Sequence, residues 1–326
     1  MKAIVRDRYG DHSAIQVAEI DTPTAAAGEV LVDVSAASIG QDIWHILTGL
    51  PLLSRLAFGL RRPRSHRLGN DFAGVIRAVG TGVDRFAVGD RVVGTVRGAF
   101  ADTLAVPANR LVALPDTVDE REASCLPVSG CTALAALASA GLDGPDATGI
   151  TVAVIGAAGG VGHIALQVAA HRGATVTAVC RGAAADLMTN LGAADCIDYT
   201  ATDLVATGRR WDVIIDTAGR RPVGRLRKVL SPRGTIVVVG GEGGGRLLGG
   251  FGREQLSRPA ARLAGQRVRG LFSTESTEGI STLVGLMADG HLMPAIDTVL
   301  PMHAAADGIV RLRGGRLQGK VVLVTR

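Results

Sequence analysis

Several patterns that would indicate a secreted or disulfide-bonded protein are missing from this sequence of 326 residues. Its four cysteines, Cys125, Cys131, Cys180 and Cys196, form no CxxC pair, and each lies in an apolar stretch. This favours buried free thiols and a reducing compartment. The N-terminus is charged from its second residue and lacks the apolar core of a signal peptide. The sequence therefore predicts a cytoplasmic protein.

Long apolar runs, internal repeats and aromatic-rich basic clusters are missing as well. The run 150–170 approaches membrane-spanning length, but a glycine-rich turn interrupts it and it contains His163, so no membrane partner is expected. The net charge of +5 is carried almost entirely by arginine. No aromatic residue interleaves with the basic groups 61–67 and 220–228, so no nucleic-acid partner is expected, and the positive balance fits a small anionic ligand equally well.

The chain divides into two parts that differ in their residue patterns. The first third contains short β-branched runs between Gly, Pro and Asp turns, which predict a β-rich domain with partial barrel character: Lys2–Arg6, Glu29–Ser35, Gly74–Val79 and Arg91–Val96. From about Glu120, six apolar strand patterns alternate with helical ones, which predicts an α/β fold with a doubly wound parallel sheet. The strand-like end Val321–Thr325 would return to the first domain. The predicted domains are therefore 1–123 with 273–326, for catalysis, and 124–272, for a dinucleotide.

A glycine-rich loop gives the strongest functional signal. The strand pattern Thr151–Ile155 runs directly into Gly156-Ala157-Ala158-Gly159-Gly160-Val161-Gly162, and an apolar helix pattern follows. In such a loop the glycines permit the turn out of the strand, close approach of the backbone to a pyrophosphate, and tight helix packing. The helix N-terminus offers N–H groups to the phosphates. Its position between a strand and a helix makes this motif specific for a dinucleotide, against a ligand-free glycine turn.

The end of the next strand pattern distinguishes the two nicotinamide cofactors. An NAD site would usually place Asp or Glu about 20 residues past the last glycine, but this chain has Arg181 there. Arginine suits the 2′-phosphate of NADPH. Arg181 thus predicts NADPH as the cofactor, unless it is simply a solvated charge at a strand end.

These segments and several others resemble one family in order and spacing along nearly the whole chain. The resemblance is to the zinc-free quinone oxidoreductase branch of the medium-chain dehydrogenase/reductase superfamily. The matching segments are Gly69–Gly74, Val88–Val92, Gly130–Ala133, the glycine loop, Asp198-Tyr199, Gly240-Gly241 and Gly319–Val322. The resemblance implies a GroES-like catalytic domain beside a Rossmann domain, with the nicotinamide in the cleft between them.

The zinc ligands of related dehydrogenases are replaced here. Zinc-dependent relatives have His and Glu where this chain has Asn70 and Asp71, a Cys near Gln41–Ile43, and a loop with four cysteines. Zinc requires three or four converging ligands of this kind. No metal site is therefore expected.

The resemblance also assigns further cofactor contacts. Thr132, Gly240 and Gly241 would line the nicotinamide channel, Tyr199 would lie near the 2′-phosphate beside Arg181, and Lys320 would lie near the cleft. Thr132, Tyr199 and Lys320 have structural alternatives: a helix N-terminal residue, a strand-end aromatic and a solvated charge.

The segment that would face the substrate departs from the family pattern. After Ala36-Ala37-Ser38 the family usually continues with Asn-Pro, any residue and Asp, whereas this chain has Ile39-Gly40-Gln41-Asp42-Ile43-Trp44-His45. Gln41 or Asp42 could compensate, although a shift by one residue on a strand would turn Asp42 to the other face. His45 is a candidate proton donor because imidazole titrates near neutral pH, and a structural role is its alternative.

The sequence thus predicts an NADPH-dependent reductase of quinones or α,β-unsaturated carbonyl compounds that acts without zinc on a small-molecule substrate. Two alternatives stay open: a specialised biosynthetic tailoring enzyme, possibly non-redox, with a pocket altered at 40–43, and a binding protein that senses NADPH. The segment 51–67 would form either an apolar wall of the pocket or a packed amphipathic helix. A strand at Val268–Phe272 could pair with a second copy, so a homodimer is expected.

Overall fold

The computed structural model describes residues 1–241, 245–247, 249, 253–271 and 273–325. The strands in this part of the chain are β1 (Lys2–Val5), β2 (Gln16–Glu19), β3 (Glu29–Ile39), β4 (Asp71–Val79), β5 (Arg91–Thr95), β6 (Thr103–Pro107), β7 (Leu111–Ala113), β8 (Thr151–Ile155), β9 (Thr175–Cys180), β10 (Asp195–Asp198), β11 (Trp211–Asp216), β12 (Leu230–Val238), β13 (Arg267–Gly270), β14 (Ile296–Pro301) and β15 (Lys320–Val324). The α-helices are α1 (Gln41–Thr48), α2 (Arg55–Phe58), α3 (Glu120–Ala123), α4 (Pro127–Ala140), α5 (Gly162–His171), α6 (Ala185–Asn190), α7 (Val223–Leu226), α8 (Arg253–Leu263), α9 (Thr277–Ala288) and α10 (Ala305–Gly314).

The chain divides into two compact units. One comprises residues 1–131, 275–290 and 294–326 and is called the antiparallel unit here; the other comprises residues 132–274 and 291–293 and is called the parallel unit. The predicted boundaries at 123/124 and 272/273, and the catalytic and cofactor-binding roles given to the two domains, stay a prediction.

The antiparallel unit is built on a seven-stranded sheet. Its order is β14-β15-β3-β4-β5-β7, with β6 also paired to β3, and β14–β15 is its parallel pair. The C-terminal strand β15 runs antiparallel to β3, with Val321 opposite Ile39. Because alternate residues of β3 point to opposite faces, Val30, Val32 and Val34 all enter the core, where they join Phe72 and Leu323.

The parallel unit contains a six-stranded sheet in the order β10-β9-β8-β11-β12-β13, all parallel. Numbered within the sheet this is 3-2-1-4-5-6, the doubly wound order in which the direction of strand progression reverses between β8 and β11. Parallel strands covered on both faces require continuous apolar runs, and residues 152–155 of β8 are all buried. The predicted fold class is confirmed.

The structure corrects three local expectations. The argument that a one-residue shift turns Asp42 to the other face applies to a strand, but Gln41 begins helix α1. Between β10 and β11, where the alternation of strand and helix patterns predicts a helix, the structure has a 3-10 turn at Leu204–Thr207. The segment 51–67 is not a packed amphipathic helix: α2 spans four residues, and Leu56 and Leu60 are 61% and 68% exposed. The strand predicted at 268–272 is β13, while its predicted last residue, Phe272, lies outside the described residues.

Candidate cofactor and substrate sites

The glycine loop joins β8 to α5 and contains the predicted residues Gly156, Ala157, Gly159, Gly160, Val161 and Gly162. Backbone hydrogen bonds hold the loop together: Gly159 N–H donates to Gly156 O at 2.9 Å, and His163 N–H donates to Gly159 O at 3.1 Å. Gly156 N–H donates across to Val179 O of β9 at 3.0 Å. The helix begins with Val161 as N-cap, and the N–H groups of a first turn have no partner within their own helix.

Two glycines of the loop are required by packing. Gly156 has φ +79°, and a Cβ there would lie 2.6 Å from Thr217 Oγ1. A Cβ on Gly162 would lie 2.2 Å from Gly156 O and 2.8 Å from Ala157 Cα. At Gly159 the nearest atom to a Cβ would be Gly156 O at 3.2 Å, so this glycine has more space around it. This difference fits helix-on-strand packing at Gly162 and close approach of a ligand at Gly159.

The predicted residues Gly240 and Gly241 follow β12 at the same carboxyl edge of the sheet. Gly240 N–H donates to Asp216 O at 3.1 Å, and a Cβ on Gly240 would lie 2.2 Å from Thr217 O. Thr217 Oγ1 in turn donates to Ile155 O at 2.8 Å. The ends of β8, β11 and β12 therefore lie together at the point where the strand order reverses, which is where ligands bind in open α/β sheets.

Arg181 directly follows β9 and Tyr199 directly follows β10, the two strands that lie on the opposite side of β8 from β11. The Arg181 guanidinium lies 5.8 Å from the centroid of the exposed Tyr199 ring. Arg221, after β11, lies 6.0 Å from the same centroid. Hydrogen bonds from Thr200, with the positive charge of Arg181, lower the pKa of Asp198. Sequence reasoning missed Arg221, although the basic group 220–228 contains it and the position follows a strand.

Thr132 lies in helix α4, the helix through which the chain passes from one unit to the other. It is half-buried, between the buried residues Cys131 and Ala133. It stands in the second turn of α4 rather than at the N-terminus of that helix. Its predicted nicotinamide contact stays a prediction.

Helix α1 carries the three candidate catalytic residues Gln41, Asp42 and His45. Gln41 and His45 are four residues apart and share one face of the helix. Asp42 accepts a hydrogen bond of 2.6 Å from the Asn70 amide, so it is held against the start of β4. His45 Nδ1 lies 2.7 Å from Leu50 O, and because a carbonyl can only accept, Nδ1 carries the proton.

Buried charges lie close to α1 in the antiparallel unit. Lys320 and Asp71 are each 2% exposed. Lys320 Nζ donates to Ser129 Oγ at 3.0 Å and would lie 3.3 Å from a Cβ on Gly40, the N-cap of α1. Asp71 accepts from Val128 N–H at 3.2 Å. Burial raises the pKa of Asp71 well above its usual value, an effect that Lys320 opposes and Asp42 reinforces.

This buried group corrects one reading of the sequence. Lys320 is not a solvated charge, and its partners Asp71 and Ser129 were not recognised as a cluster with it. Lys320 and Ser129 are 191 residues apart, so no local pattern links them. One local signal was present: Lys320 is a single lysine that directly precedes the apolar residues 321–324. Lysine is rarely buried without a partner, so a lysine at the start of a buried strand indicates that a partner lies near it.

Among the described residues, no three His, Cys, Asp or Glu side chains are arranged to hold a metal ion. In that part of the chain, no helix has both the length and the apolar character needed to cross a membrane.

Two family models match the chain. Residues 26–116 match the alcohol dehydrogenase GroES-like domain, and residues 191–323 match the zinc-binding dehydrogenase family. The first match covers most of the strands of the antiparallel sheet. The second spans four of the six strands of the parallel sheet, β10 to β13, and the return of the chain to β15.

Relatives and solved structures match over almost the full length. A chloroplastic quinone oxidoreductase of Triphysaria versicolor is 30% identical over 99% of this chain and 98% of its own length. A mitochondrial NAD(P)H oxidoreductase of Bos taurus is 27% identical over 99% of this chain and 89% of its own. The quinone oxidoreductase structure from Coxiella burnetii superposes with a TM-score of 0.84 at 26% identity, over 100% of this chain and 99% of that one.

Proposed function

The chain belongs to the quinone oxidoreductase branch of the medium-chain dehydrogenase/reductase superfamily, and we propose that it is an NADPH-dependent reductase of quinones or α,β-unsaturated carbonyl compounds that needs no zinc. The observation that carries the proposal is the carboxyl edge of the parallel sheet, where the glycine loop and an arginine pair around Tyr199 lie on neighbouring strand ends.

The residues at this edge fit a dinucleotide with a 2′-phosphate. The open backbone at Gly159 and the N-terminus of α5 suit a pyrophosphate. Arg181 and Arg221 approach Tyr199 from the ends of β9 and β11, and two guanidinium groups can bind one phosphate through charge-assisted hydrogen bonds. The ribose hydroxyl of NADH offers no such charge, so the same pair favours NADPH over NADH.

The donor set near α1 does not fit zinc. Asn70 contributes an amide that is already directed to Asp42, and the buried ammonium of Lys320 lies beside Gly40. Structural and catalytic zinc sites use Cys, His and carboxylate ligands, and a fixed cation among them would repel the metal. The proposal therefore assigns the chemistry to the cofactor, which supplies a hydride when bound, and to protein groups that handle the proton.

His45 is the proposed proton donor. Its Nδ1–H donates to Leu50 O, an arrangement that orients the ring. In the imidazolium form, Nε2–H would deliver its proton to the oxygen of a quinone or enone while the hydride is added to carbon, which leaves the neutral Nδ1–H ring. Gln41, on the same face of α1, would orient the substrate carbonyl, and Asp42 would position the helix through Asn70.

The experiment is NADPH oxidation by EDTA-treated protein with an ortho-quinone and a simple enone as separate acceptors, with NADH alongside. We expect turnover with NADPH and a much lower kcat/KM with NADH. Arg181→Ala and Arg221→Ala should each raise KM for NADPH roughly tenfold and leave the NADH value nearly unchanged. Arg233→Ala, an exposed arginine at the amino end of β12, is the matched control and should change neither value.

Three results would contradict parts of the proposal. Equal use of NADH and NADPH, unchanged in Arg181→Ala, would contradict the cofactor assignment. Loss of activity on EDTA treatment with recovery on added Zn²⁺ would contradict the zinc-free reading. Tight NADPH binding without reduction of either acceptor would favour the tailoring enzyme or the NADPH sensor instead.

We also propose a homodimer through strand β13. Within the described residues β13 pairs as a strand only with β12. Val268 O accepts from Arg258 Nε at 3.3 Å, so a second copy would pair with the other backbone groups of the open edge or displace this side chain. Light scattering should give a dimer mass for the wild type and a monomer mass for Val268→Pro, which removes a strand N–H. A wild-type monomer at all protein concentrations would contradict this.

A further inference from the structure

A small pocket in the antiparallel unit is lined by an unusual number of arginines. It lies beside α1 and the start of β4 and is partly open to solvent. Four of its lining residues are Arg6, Arg64, Arg67 and Arg97, and Ile46 and Asn70 complete the wall next to α1. Its open mouth leaves these side chains within reach of the charged end of a small molecule.

The positive charge of this pocket is not balanced by the described residues that line it. No carboxylate belongs to the described residues that line it. The guanidinium groups of Arg67 and Arg97 make no hydrogen bond or ion pair with any residue that the structure describes, and the guanidinium of Arg64 makes one, to Ala57 O at 3.3 Å. Like charges held together without counter-charge repel one another, so an anion that entered would be bound favourably.

Arg6 provides a buried donor at the back of the pocket. It is 1% exposed, and its Nη1 donates to the carbonyls of Ile46 and Leu47 at the end of α1. Its Nε is buried and has no hydrogen-bond partner among the described residues. Burial lowers the pKa of Arg6 to about 10. A buried N–H donor without an acceptor is costly, and an anionic oxygen would satisfy it.

A glycine allows Arg67 to lie along the pocket wall. A Cβ on Gly98 would lie 2.8 Å from Arg67 Nε and 2.9 Å from Arg67 Cβ. Any larger residue at 98 would displace this guanidinium. Gly98 is itself part of the lining, so the side chain and its support belong to one wall.

The pocket adjoins the residues assigned to the substrate. Asn70 lines it and also donates to Asp42 on α1 at 2.6 Å. Ile46 lines it from the same helix, next in sequence to His45. An anionic group in the pocket would therefore lie within one small molecule's length of the proposed proton donor.

We propose that this pocket is a specificity subsite for an anionic group, so that the substrates are enones or quinones bearing a carboxylate or a phosphate. The assignment rests on the proposed function for the reacting end of the substrate, while the anion site itself rests on the arginines. Arg67 and Arg97 bind the anionic oxygens at the pocket mouth, and Arg6 supplies the donor behind them.

The test compares trans-4-oxo-2-pentenoate with its methyl ester, which lacks the negative charge and carries one additional methyl group. In the wild type we expect kcat/KM for the acid to exceed that for the ester about tenfold. In Arg67→Gln/Arg97→Gln this ratio should fall to near one. Arg110→Gln, an exposed arginine outside the pocket, should leave the ratio at its wild-type value.

Direct binding is measured separately, so that it does not depend on turnover. Titration calorimetry with inorganic phosphate, on protein saturated with NADP⁺ so that the proposed cofactor site is occupied, should give a binding heat with the wild type and with Arg110→Gln that the double variant lacks. Phosphate should also inhibit reduction of the acid competitively, with little effect on the ester. A binding heat without reduction of either compound would support the anion site and contradict the proposed function.

Two results would overturn the proposal. No phosphate binding, together with an acid-to-ester ratio unchanged in the double variant, would mean that the arginines are solvated surface charges. Phosphate binding lost in the double variant, with acid and ester reduced equally well by the wild type, would mean a free-anion site without a role in substrate selection. Circular dichroism of the double variant controls for folding, and Arg67→Lys, which keeps the charge, should retain part of the preference.

Discussion

In the parallel unit the candidate cofactor site consists mostly of backbone, whereas in the antiparallel unit the candidate substrate site consists of buried and half-buried side chains. The first depends on glycines that let chain segments approach within van der Waals distance. The second depends on Lys320, Asp71, Ser129, Asp42 and Asn70, which come from four separate parts of the chain.

This difference has an energetic consequence. A backbone site is damaged by adding atoms, because the loop has no space for a Cβ where glycines pack against carbonyls. A site of buried charges is damaged by removing atoms, because the remaining partner then loses the interaction that offset its burial. The two kinds of site are therefore sensitive to opposite substitutions.

The largest effect is expected for Gly162→Ala in the parallel unit. The new Cβ would overlap Gly156 O at 2.2 Å, and backbone atoms cannot move aside without opening the loop. We expect the free energy of unfolding to fall by about 3 kcal/mol and the binding of NADPH to be lost. Urea unfolding and NADPH fluorescence titration measure the two effects.

The control is Gly224→Ala in helix α7 of the same unit. No atom lies within 4 Å of a Cβ at this position, and alanine is the better helix former, so stability should be unchanged or slightly higher. If Gly162→Ala were as stable as Gly224→Ala and bound NADPH normally, the close packing of the loop would not be required.

A smaller effect is expected for Lys320→Met in the antiparallel unit. The change keeps an apolar chain of similar length but removes the hydrogen bond to Ser129 and the charge that favours ionised Asp71. We expect a loss of about 2 kcal/mol in the free energy of unfolding. Lys228→Met, at an exposed lysine, is the control, and equal stability of the two variants would mean that the buried ammonium is not important for folding.

Asp71→Asn should change the pH dependence of stability. Because burial raises the pKa of Asp71 above 3.8, folding favours the protonated form. The contribution of this carboxyl is complete below its unfolded pKa and is lost as pH rises through its folded pKa. Asparagine does not titrate, so the stability of the wild type relative to the variant should fall as pH rises above about 4. Thermal unfolding of both proteins from pH 4 to pH 8 measures this. A wild-type stability that rises relative to that of Asp71→Asn as pH rises would contradict it.

The last prediction concerns the rates at which the cysteine thiols of the two units are alkylated. Burial raises the pKa of Cys125 to about 12, and of Cys131 and Cys180 to about 11. At pH 8 about one in a thousand of the latter two thiols is a thiolate. Half-buried Cys196 should therefore react first with iodoacetamide, as peptide mass spectrometry can measure. Labelling of Cys131 at the rate of Cys196 would mean that the antiparallel unit opens readily.

Parts of the fold and site could be predicted because their signals are local. Strand β8 has the bounds predicted for it, Thr151–Ile155, since five consecutive apolar or β-branched residues before a glycine loop have few other solutions. Helix α1 was not predicted, yet a signal was present. Ile43 and Leu47 are four residues apart and fully buried, and Gly49 ends the helix with φ +60°.

The sequence by itself determined the α/β class, the glycine loop and the arginine at the end of β9, because each depends on residues adjacent in the chain. Only the tertiary structure decided that Lys320 meets Ser129, that Arg221 joins Arg181 at Tyr199, and that Arg6 and Arg67 share a pocket. These long-range contacts follow from strand pairing; for example, β15 pairs with β3 and places Val321 opposite Ile39. Such pairing is set by how the core packs, which no short segment encodes.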